Sequence, residues 1–203
     1  MKDSGDPRYL AMKRIRDELV ELKASPLYEY RQQNNYFPVI GEGDHHAKIM
    51  FIGEAPGETE AKAARPFCGA AGRVLDELII SIGLDRKDVY ITNIVKDRPP
   101  NNRDPLPEEI ELYAPFLVRQ VNIIQPKIIA TLGRFSMEFI MRKFGLGLEL
   151  ESISKMHGKA FTAETDFGEM KIVPLYHPAV ALYKNSMKKV LMEDAQILKT
   201  LTV

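Results

Sequence analysis

Three polar side chains at the ends of short apolar runs could take part in chemistry, and they are Glu54, Asn93 and His177. A carboxylate can orient a water molecule or stabilise a cation, and a histidine can donate a hydrogen bond to a developing anion. The side-chain amide of asparagine offers a donor beside an acceptor, which suits the polar edge of a pyrimidine-like ring. The ring of Phe67 could stack on such a group. Together these residue types are typical of a pocket for a small planar molecule.

Each of these residues also has an ordinary structural explanation. Glu54 could cap a helix, Phe67 could belong to the core, and His177 could be a core histidine whose neighbours satisfy its hydrogen bonds. Buried asparagines commonly hold loops in place, and for Asn93 taken alone this structural role is favoured. The functional interpretation therefore depends on whether the side chains meet.

Apolar runs of strand type alternate along the chain with amphipathic helical segments. The predicted strands are 48–52, 89–95, 127–132 and 171–175, and the predicted helices are 8–23, 70–82, 107–124, 135–144 and 188–201. Such an alternation predicts an α/β fold, a three-layer α/β/α sandwich with a central four-stranded, mainly parallel sheet. The segment 145–170 is irregular, with a hairpin around Lys159–Phe161 and Met170–Val173. Since the carboxyl ends of parallel strands share one edge, Glu54, Asn93 and His177 are expected to meet there.

Length and composition limit the class of protein. The 203 residues suit one domain, 1–203, in which residues 1–25 form an N-terminal helical segment that packs on the rest. Lys and Arg (28) balance Asp and Glu (28), so the net charge neither indicates nor excludes nucleic acid. The single Cys68 rules out an internal disulfide and a cysteine-based metal site. No signal peptide and no apolar run of ~20 residues occurs, so we expect a cytoplasmic monomer without a membrane partner.

Three motifs in a fixed order resemble those of family 4 uracil-DNA glycosylases. The first is Gly53-Glu54-Ala55-Pro56-Gly57 with Glu60, followed by Arg65-Pro66-Phe67 and Gly69-x-x-Gly72. The second is VYITNIVK at 89–96 followed by RPPNNR at 98–103, and the third is His177-Pro178-Ala179. The resemblance runs from about Pro26 to the C-terminus and so covers most of the chain.

The resemblance implies a pocket that binds uracil after the base has been flipped out of the DNA stack. By position in the motifs, Phe67 stacks on the base and Asn93 reads its polar edge. Glu60 lies near C5 of the base and disfavours the methyl group of thymine. Gly53 and Ala55 complete the substrate-binding segment. The expected substrate is uracil-containing DNA, single- or double-stranded.

The resemblance also implies a DNA repair enzyme that hydrolyses the N-glycosidic bond. Cleavage of that bond produces a cationic sugar and an anionic base. A carboxylate and a hydrogen-bond donor on opposite sides of the bond stabilise these two charges. Glu54 would act on the attacking water or on the sugar cation, and His177 on the leaving uracil anion.

The residues implied to contact DNA lie in two polar segments. Lys96, Arg98 and Arg103 could bind phosphates, although a run of charges is often only a solvated loop. In the segment before the last helix, Leu182 is the apolar side chain expected to enter the duplex, and Lys184 is expected on a phosphate.

One departure from the family concerns its [4Fe-4S] cluster, which four cysteines hold. At the corresponding positions this chain has Leu22, Ser25, Asp97 and Tyr113, and Cys68 lies at none of them. Iron–sulfur clusters need thiolate ligands, so we expect no cluster and no other cofactor. The loop that the cluster would brace must then be held by other contacts.

Two alternatives remain beside uracil removal. The same fold could remove other deaminated bases such as hypoxanthine or xanthine, or it could bind uracil-containing DNA without cleaving it. An unrelated nucleotide-binding protein is disfavoured, since neither GxGxxG nor a P-loop motif occurs in the sequence.

Overall fold

The centre of the molecule is a mixed six-stranded sheet with the strand order β1-β3-β2-β4-β6-β5. A computed structural model describes residues 5–201, and residues 1–4 and 202–203, which the predicted domain includes, lie outside that range. The strands are β1 (Glu42–Gly43), β2 (Ile49–Gly53), β3 (Tyr90–Asn93), β4 (Ile128–Leu132), β5 (Phe161–Thr165) and β6 (Gly168–Leu175). The predicted α/β fold is confirmed, whereas the predicted count of four strands is wrong.

The two strands missing from the predicted count lie at the edges of the sheet, and both are antiparallel to their neighbours. β1 has only two residues, too few to show an alternating pattern. β5 pairs with β6 with Phe161 opposite Ile172, so the predicted hairpin is part of the sheet. The four inner strands are parallel, and their carboxyl ends therefore lie along one edge.

Helices cover both faces of the sheet. They are α1 (Pro7–Val20), α2 (Tyr28–Gln33), α3 (Glu58–Ala63), α4 (Ala70–Ser81), α5 (Pro107–Ile124), α6 (Arg134–Lys143), α7 (Ile153–Met156), α8 (Val180–Tyr183) and α9 (Asn185–Leu201). The short helices α2, α3, α7 and α8 were not predicted, because four to six residues are too few for a helical period to show. Within residues 5–201, no helix is long and apolar enough to cross a membrane.

The core has two halves, one on each face of the sheet. Successive residues of β2 alternate between them, with Met50 in one half and Phe51 in the other. Side chains of α1, α5 and α6 complete the first half, and those of α4 and α9 complete the second. This three-layer packing fixes the parallel strands, and with them the edge where the predicted site residues are placed.

Candidate active site

A cavity of about 410 Å³ opens at the carboxyl edge of the sheet. Residues from several separate segments line it: Ala55, Gly57, Glu60, Phe67, Ala71, Asn93, Asn102, His177 and Ala179. Five of them (Ala55, Glu60, Phe67, Asn93 and His177) are site residues predicted from the sequence. The parallel strands bring these residues together, because β2, β3 and β6 end at the same edge.

Phe67 and His177 form an aromatic wall of the cavity. Their ring centroids are 5.7 Å apart, and the ring planes are inclined by 35°. Phe67 is buried, and its backbone has φ 47°, in the left-handed region that residues other than glycine seldom adopt. The loop before α4 therefore holds the Phe67 backbone in a conformation that a short peptide would seldom adopt by itself.

The amide of Asn93 is buried and unpartnered. The residue ends β3 and is 1% exposed, yet neither Oδ1 nor Nδ2 has a hydrogen-bond partner within residues 5–201. Buried polar atoms almost always find a partner, since leaving one unpaired costs stability. Gly53 makes room for the amide, because a Cβ there would lie 2.4 Å from Asn93 Oδ1 and 2.6 Å from Phe67 Cζ. The arrangement suits a ligand edge that carries both a donor and an acceptor.

Glu60 lines the cavity and also ties two helices together. Its Oε1 accepts hydrogen bonds from the backbone N–H groups of Cys68 (3.0 Å) and Gly69 (2.8 Å). These groups precede the first turn of α4, where a negative charge is favourable. The carboxylate of α3 therefore fixes the end of the Phe67 loop.

His177 presents a neutral imidazole to the cavity. Burial lowers its pKa, which the charge of Glu60 opposes. Nδ1 accepts a hydrogen bond from the backbone N–H of Ala179 at 3.2 Å, so the proton of the neutral ring lies on Nε2. Gly133, at the end of β4 with φ 96°, lets the histidine approach, since a Cβ there would lie 3.2 Å from His177 Cβ. The ring can therefore act as a hydrogen-bond donor without carrying a charge.

Glu54 lies beside the cavity, between Gly53 and the lining residue Ala55. Its pKa is raised to about 7, mainly by burial and in smaller part by the charge of Asp104, while the charge of Arg134 opposes both. Asp104 and Arg134 themselves form an exposed ion pair at 3.5 Å. The structure thus brings Asn93 and His177 to one cavity, whereas Glu54 is not among the residues that line it. The Glu54 carboxyl titrates close to neutral pH.

The predicted phosphate contact of Lys96 is wrong. The side chain is fully buried, and burial lowers its pKa well below the usual value. Its Nζ donates to Thr92 Oγ1 (2.7 Å), Asn93 O (2.7 Å) and Gln120 Oε1 (2.6 Å). Lys96 therefore braces the turn that follows β3, and a DNA backbone cannot reach it.

The other predicted DNA contacts differ in exposure. Arg98 is only 8% exposed, and its guanidinium donates to Tyr36 and Asn102 and pairs with Glu58 at 3.4 Å, so little of it is presented to solvent. Arg103 is half-exposed, but both of its terminal nitrogens bind the carboxylate of Glu109.

Leu182 and Lys184 are both exposed on the segment around α8, as a contact with DNA would require. Lys184 forms no side-chain ion pair with any residue of 5–201.

Three of the four positions that correspond to the family's cluster cysteines share a buried hydrogen-bond network. Ser25 Oγ lies 2.7 Å from Tyr113 Oη, which donates to Asp97 Oδ2 at 2.6 Å. Arg31 Nη1 lies 3.1 Å from both oxygens of Asp97, and its guanidinium also donates to the carbonyls of Leu19 and Val20. The fourth position, Leu22, packs against the apolar core beside this network.

The donors at this corner do not fit an iron–sulfur cluster. They are a hydroxyl, a phenol, a carboxylate and an alkyl group, and none of them is a thiolate. The carboxylate is already paired with Arg31. Burial raises the pKa of Asp97, and the hydrogen bond from Tyr113 and the charge of Arg31 oppose that rise. In the part of the chain that the structure describes, no group of three or more His, Cys, Asp or Glu side chains could hold a metal ion.

Sequence reasoning missed Asn102, which lines the cavity and accepts from Arg98 Nε at 2.8 Å. It lies in a polar, proline-rich loop whose conformation no periodicity predicts, with left-handed φ angles at both Asn101 and Asn102. The pair of asparagines was the only available signal, since asparagine tolerates this region better than other residues.

Residues 40–200 match the uracil DNA glycosylase superfamily. The type-4 uracil-DNA glycosylase of Sulfurisphaera tokodaii is 45% identical over 194 residues, 95% of this chain and 86% of that protein. Those of Archaeoglobus fulgidus (46%; 79% of this chain, 78% of that protein) and Thermotoga maritima (38%; 91% and 95%) are also similar. The chain therefore belongs to the uracil-DNA glycosylase superfamily.

Proposed function

We propose that this chain removes uracil from DNA by hydrolysing the N-glycosidic bond. Its relatives from two archaea carry the name type-4 uracil-DNA glycosylase. The observation that carries the proposal is the buried, unpartnered amide of Asn93 beside the ring of Phe67. Uracil offers an acceptor and an adjacent N–H donor on one edge, which complement Nδ2 and Oδ1. The target base reaches this cavity only after it has been flipped out of the stack.

His177 is proposed to stabilise the base as it leaves. Breaking the glycosidic bond places negative charge on the uracil ring, and the Nε2–H of a neutral imidazole can donate to it. The neutral form follows from the lowered pKa and from the hydrogen bond between Ala179 N–H and Nδ1. The donor is therefore positioned before the charge develops.

Glu54 is proposed to act in its ionised form on the other side of the bond. A carboxylate there orients the attacking water or stabilises the sugar cation. With a pKa of about 7, the carboxyl is close to half-ionised at neutral pH. We expect Glu54→Gln and His177→Ala each to slow base release by roughly 10²–10³-fold.

Glu60 is proposed to discriminate against thymine. Its carboxylate lines the cavity and is held in place by two backbone N–H groups, so it cannot easily turn away from a ligand. A 5-methyl group next to a fixed carboxylate would displace water from it without offering a hydrogen bond. Gly53 and Ala55 contribute the backbone along the same side of the pocket.

DNA is proposed to approach the face that carries α8. The exposed Leu182 would fill the space left by the flipped base, and Lys184 would bind a phosphate. Arg103 could join only if a phosphate replaced Glu109. We propose that the enzyme acts as a monomer on single- or double-stranded DNA.

The protein is further proposed to work without the family's iron–sulfur cluster. The support is chemical, since the four positions supply no thiolate and three of them bond to one another instead. Elemental analysis of the purified protein should find no stoichiometric iron. Its absorption spectrum should lack the broad visible charge-transfer band of an iron–sulfur cluster. If the protein contained stoichiometric iron, and if chelation removed both the iron and the activity, the proposal that it works without a cluster would be wrong.

The test of the proposed function is base release from oligonucleotides that each carry one modified base. Wild-type protein should release uracil, while hypoxanthine and xanthine should remain in the DNA. Asn93→Ala should lose most of the uracil activity. Equal release of hypoxanthine would show that the pocket does not read a pyrimidine edge. Tight binding of uracil-containing DNA without turnover would identify a non-catalytic binder.

A further inference from the structure

The loop that carries Phe67 needs an external support. With φ 47°, Phe67 adopts a backbone conformation that a bulky residue leaves readily unless its surroundings hold it. Gly72 of α4 packs directly on this loop, since a Cβ there would lie 1.9 Å from Phe67 O. Glu60 holds the Cys68 and Gly69 N–H groups on one side. The carbonyl side of the loop needs a donor of its own.

That donor is Arg86, nineteen residues further along the chain. Its guanidinium donates from Nη1 to Phe67 O at 3.2 Å and from Nη2 to Pro66 O. The same two nitrogens bind Asp76 Oδ1 at 2.9 Å and Glu42 Oε2 at 3.2 Å. The side chain is 18% exposed. Two carboxylates thus hold the largely buried guanidinium of Arg86 in place. Its other hydrogen bonds go to two successive carbonyls of the loop.

Arg86 acts at a distance from the base. It is not among the residues that line the cavity, so it does not touch a ligand there. Its planar fork can bind two carbonyls at once, which the single ammonium of a lysine does less well. The contact to Phe67 is made to the backbone, and the backbone conformation directs the ring.

The geometry points to Arg86 as a positioning residue that sets the Phe67 ring for stacking on the flipped base by clamping the carbonyls of Pro66 and Phe67. The inference rests on the proposed function, because it assigns the ring a base to stack on. The hold of Arg86 on the loop can be measured independently of activity.

The first readout is binding of free uracil, measured by calorimetry. Arg86→Ala should weaken it about tenfold, the effect of losing one stacking contact. In a Phe67→Ala background the same change should add little, because the ring through which Arg86 acts is gone. Additive losses in the double variant would overturn the inference. Arg86→Lys should restore thermal stability more fully than it restores uracil binding.

The second readout is the reactivity of Cys68, the only cysteine of the chain and the residue after Phe67. Arg86→Ala should speed its labelling by a thiol reagent, since the loop opens more often. Unchanged labelling together with unchanged uracil binding would refute the clamp. If the wild type neither binds nor releases uracil, the proposed function fails, and the labelling rates still decide whether Arg86 holds the loop.

A matched control is Arg8, whose Nη1 also donates to two backbone carbonyls, those of His45 (3.1 Å) and Ile124 (2.9 Å). Neither carbonyl belongs to a residue that lines the cavity. Arg8→Ala should lower the melting temperature and leave both uracil binding and Cys68 labelling unchanged. Equal effects of Arg8→Ala and Arg86→Ala on those two readouts would show general destabilisation and overturn the inference.

Discussion

At the scale of single residues, the chemistry of the site depends on the protonation of Glu54. Its pKa is raised to about 7, so the carboxyl titrates near neutral pH. The ionised form is the one that can orient water or stabilise a cation. The release rate should therefore rise about tenfold per pH unit below pH 7 and level off above it.

Two charges near Glu54 allow the rising limb of this pH–rate profile to be shifted to lower or to higher pH. Asp104→Asn removes a negative neighbour, which should lower the pKa and shift the limb to lower pH. Arg134→Gln should shift it to higher pH for the opposite reason. Single-turnover rates from about pH 5 to pH 8 would measure both shifts. A limb that moves in neither variant would assign the titration to another group.

The same titration predicts a pH-dependent stability. Folding raises the Glu54 pKa from 4.5 to about 7, so the protonated carboxyl is the form that folding favours. The associated stability is fully present below about pH 4.5 and is lost as the pH rises through about 7. Glu54→Gln should consequently be more stable than the wild type at about pH 8 and similar to it at about pH 4.

Urea midpoints of the two proteins at both pH values would measure this difference. Glu58→Gln provides the control, because its exposed carboxylate has a pKa lowered by Lys62. That substitution should give no gain at high pH. A gain for Glu58→Gln equal to that of Glu54→Gln would point to net charge as the cause.

Residue types, their order along the predicted strands and the family motifs predicted the pocket better than the DNA contacts. Asn93 and His177 were expected to meet because they follow strand ends, and Phe67 was expected beside them because of its place in the first family motif. The structure brings all three to one cavity. Lys96 could not be assigned correctly, because a lysine in a charged stretch usually faces water. Its acceptors come from β3 and α5, and only the tertiary fold brings Thr92 and Gln120 to its ammonium.

At the scale of secondary structure elements, prediction succeeded where the pattern was long. The helix 107–124 was predicted at its observed bounds, Pro107–Ile124, because proline at its start and eighteen residues of periodic sequence mark it. β1 could not be found, since its two residues pair with β3 only after the sheet has formed. The short helices and the Phe67 loop are likewise set by tertiary contacts, among them the one between Phe67 O and Arg86.

The end of β2 shows how closely one element can control the pocket. At Gly53 an added Cβ would meet both Asn93 Oδ1 and Phe67 Cζ at less than 3 Å. Gly53→Ala should therefore displace the amide or the ring and weaken uracil binding at least about tenfold, while most of the strand stays intact. Calorimetric titration with uracil, beside circular dichroism, would test this.

Gly147→Ala is the control for that substitution. The atom closest to a Cβ at Gly147 is Arg142 Cγ, at an ordinary contact distance of 3.8 Å. Uracil binding should be unchanged in this variant. A Gly53→Ala protein that binds uracil as well as Gly147→Ala does would mean that the pocket tolerates a methyl group at the end of β2.

At the scale of the whole molecule, the buried network of Arg31, Asp97, Tyr113 and Ser25 connects parts of the chain that are distant in sequence. Arg31 lies in α2, Tyr113 in α5, and Asp97 follows the turn after β3 that also carries Lys96. The network thus joins the N-terminal helices to the segment that leads into the cavity-lining Asn102. We infer that it braces this segment, at the corner where the resemblance to family 4 implies a metal cluster.

The energetics of a buried ion pair make this role testable. Asp97→Ala leaves the Arg31 guanidinium, only 3% exposed, without its counter-charge, which should cost about 3–5 kcal/mol of unfolding free energy. Removing both charges in Asp97→Ala/Arg31→Met should cost less than the single change, because no uncompensated charge stays buried. Breaking the exposed pair of Glu18 and Arg119 by Glu18→Ala should cost under about 1 kcal/mol.

Urea unfolding of these three variants would rank the contributions. Because the network and the cavity share the segment after β3, Asp97→Ala should also weaken uracil binding, whereas Glu18→Ala should not. A loss for Asp97→Ala no larger than that for Glu18→Ala would show that apolar packing around Leu22 and Tyr113 holds this corner without the ion pair. In that case the charges of Arg31 and Asp97 would compensate each other without adding stability. The segment after β3 would then be held by other contacts.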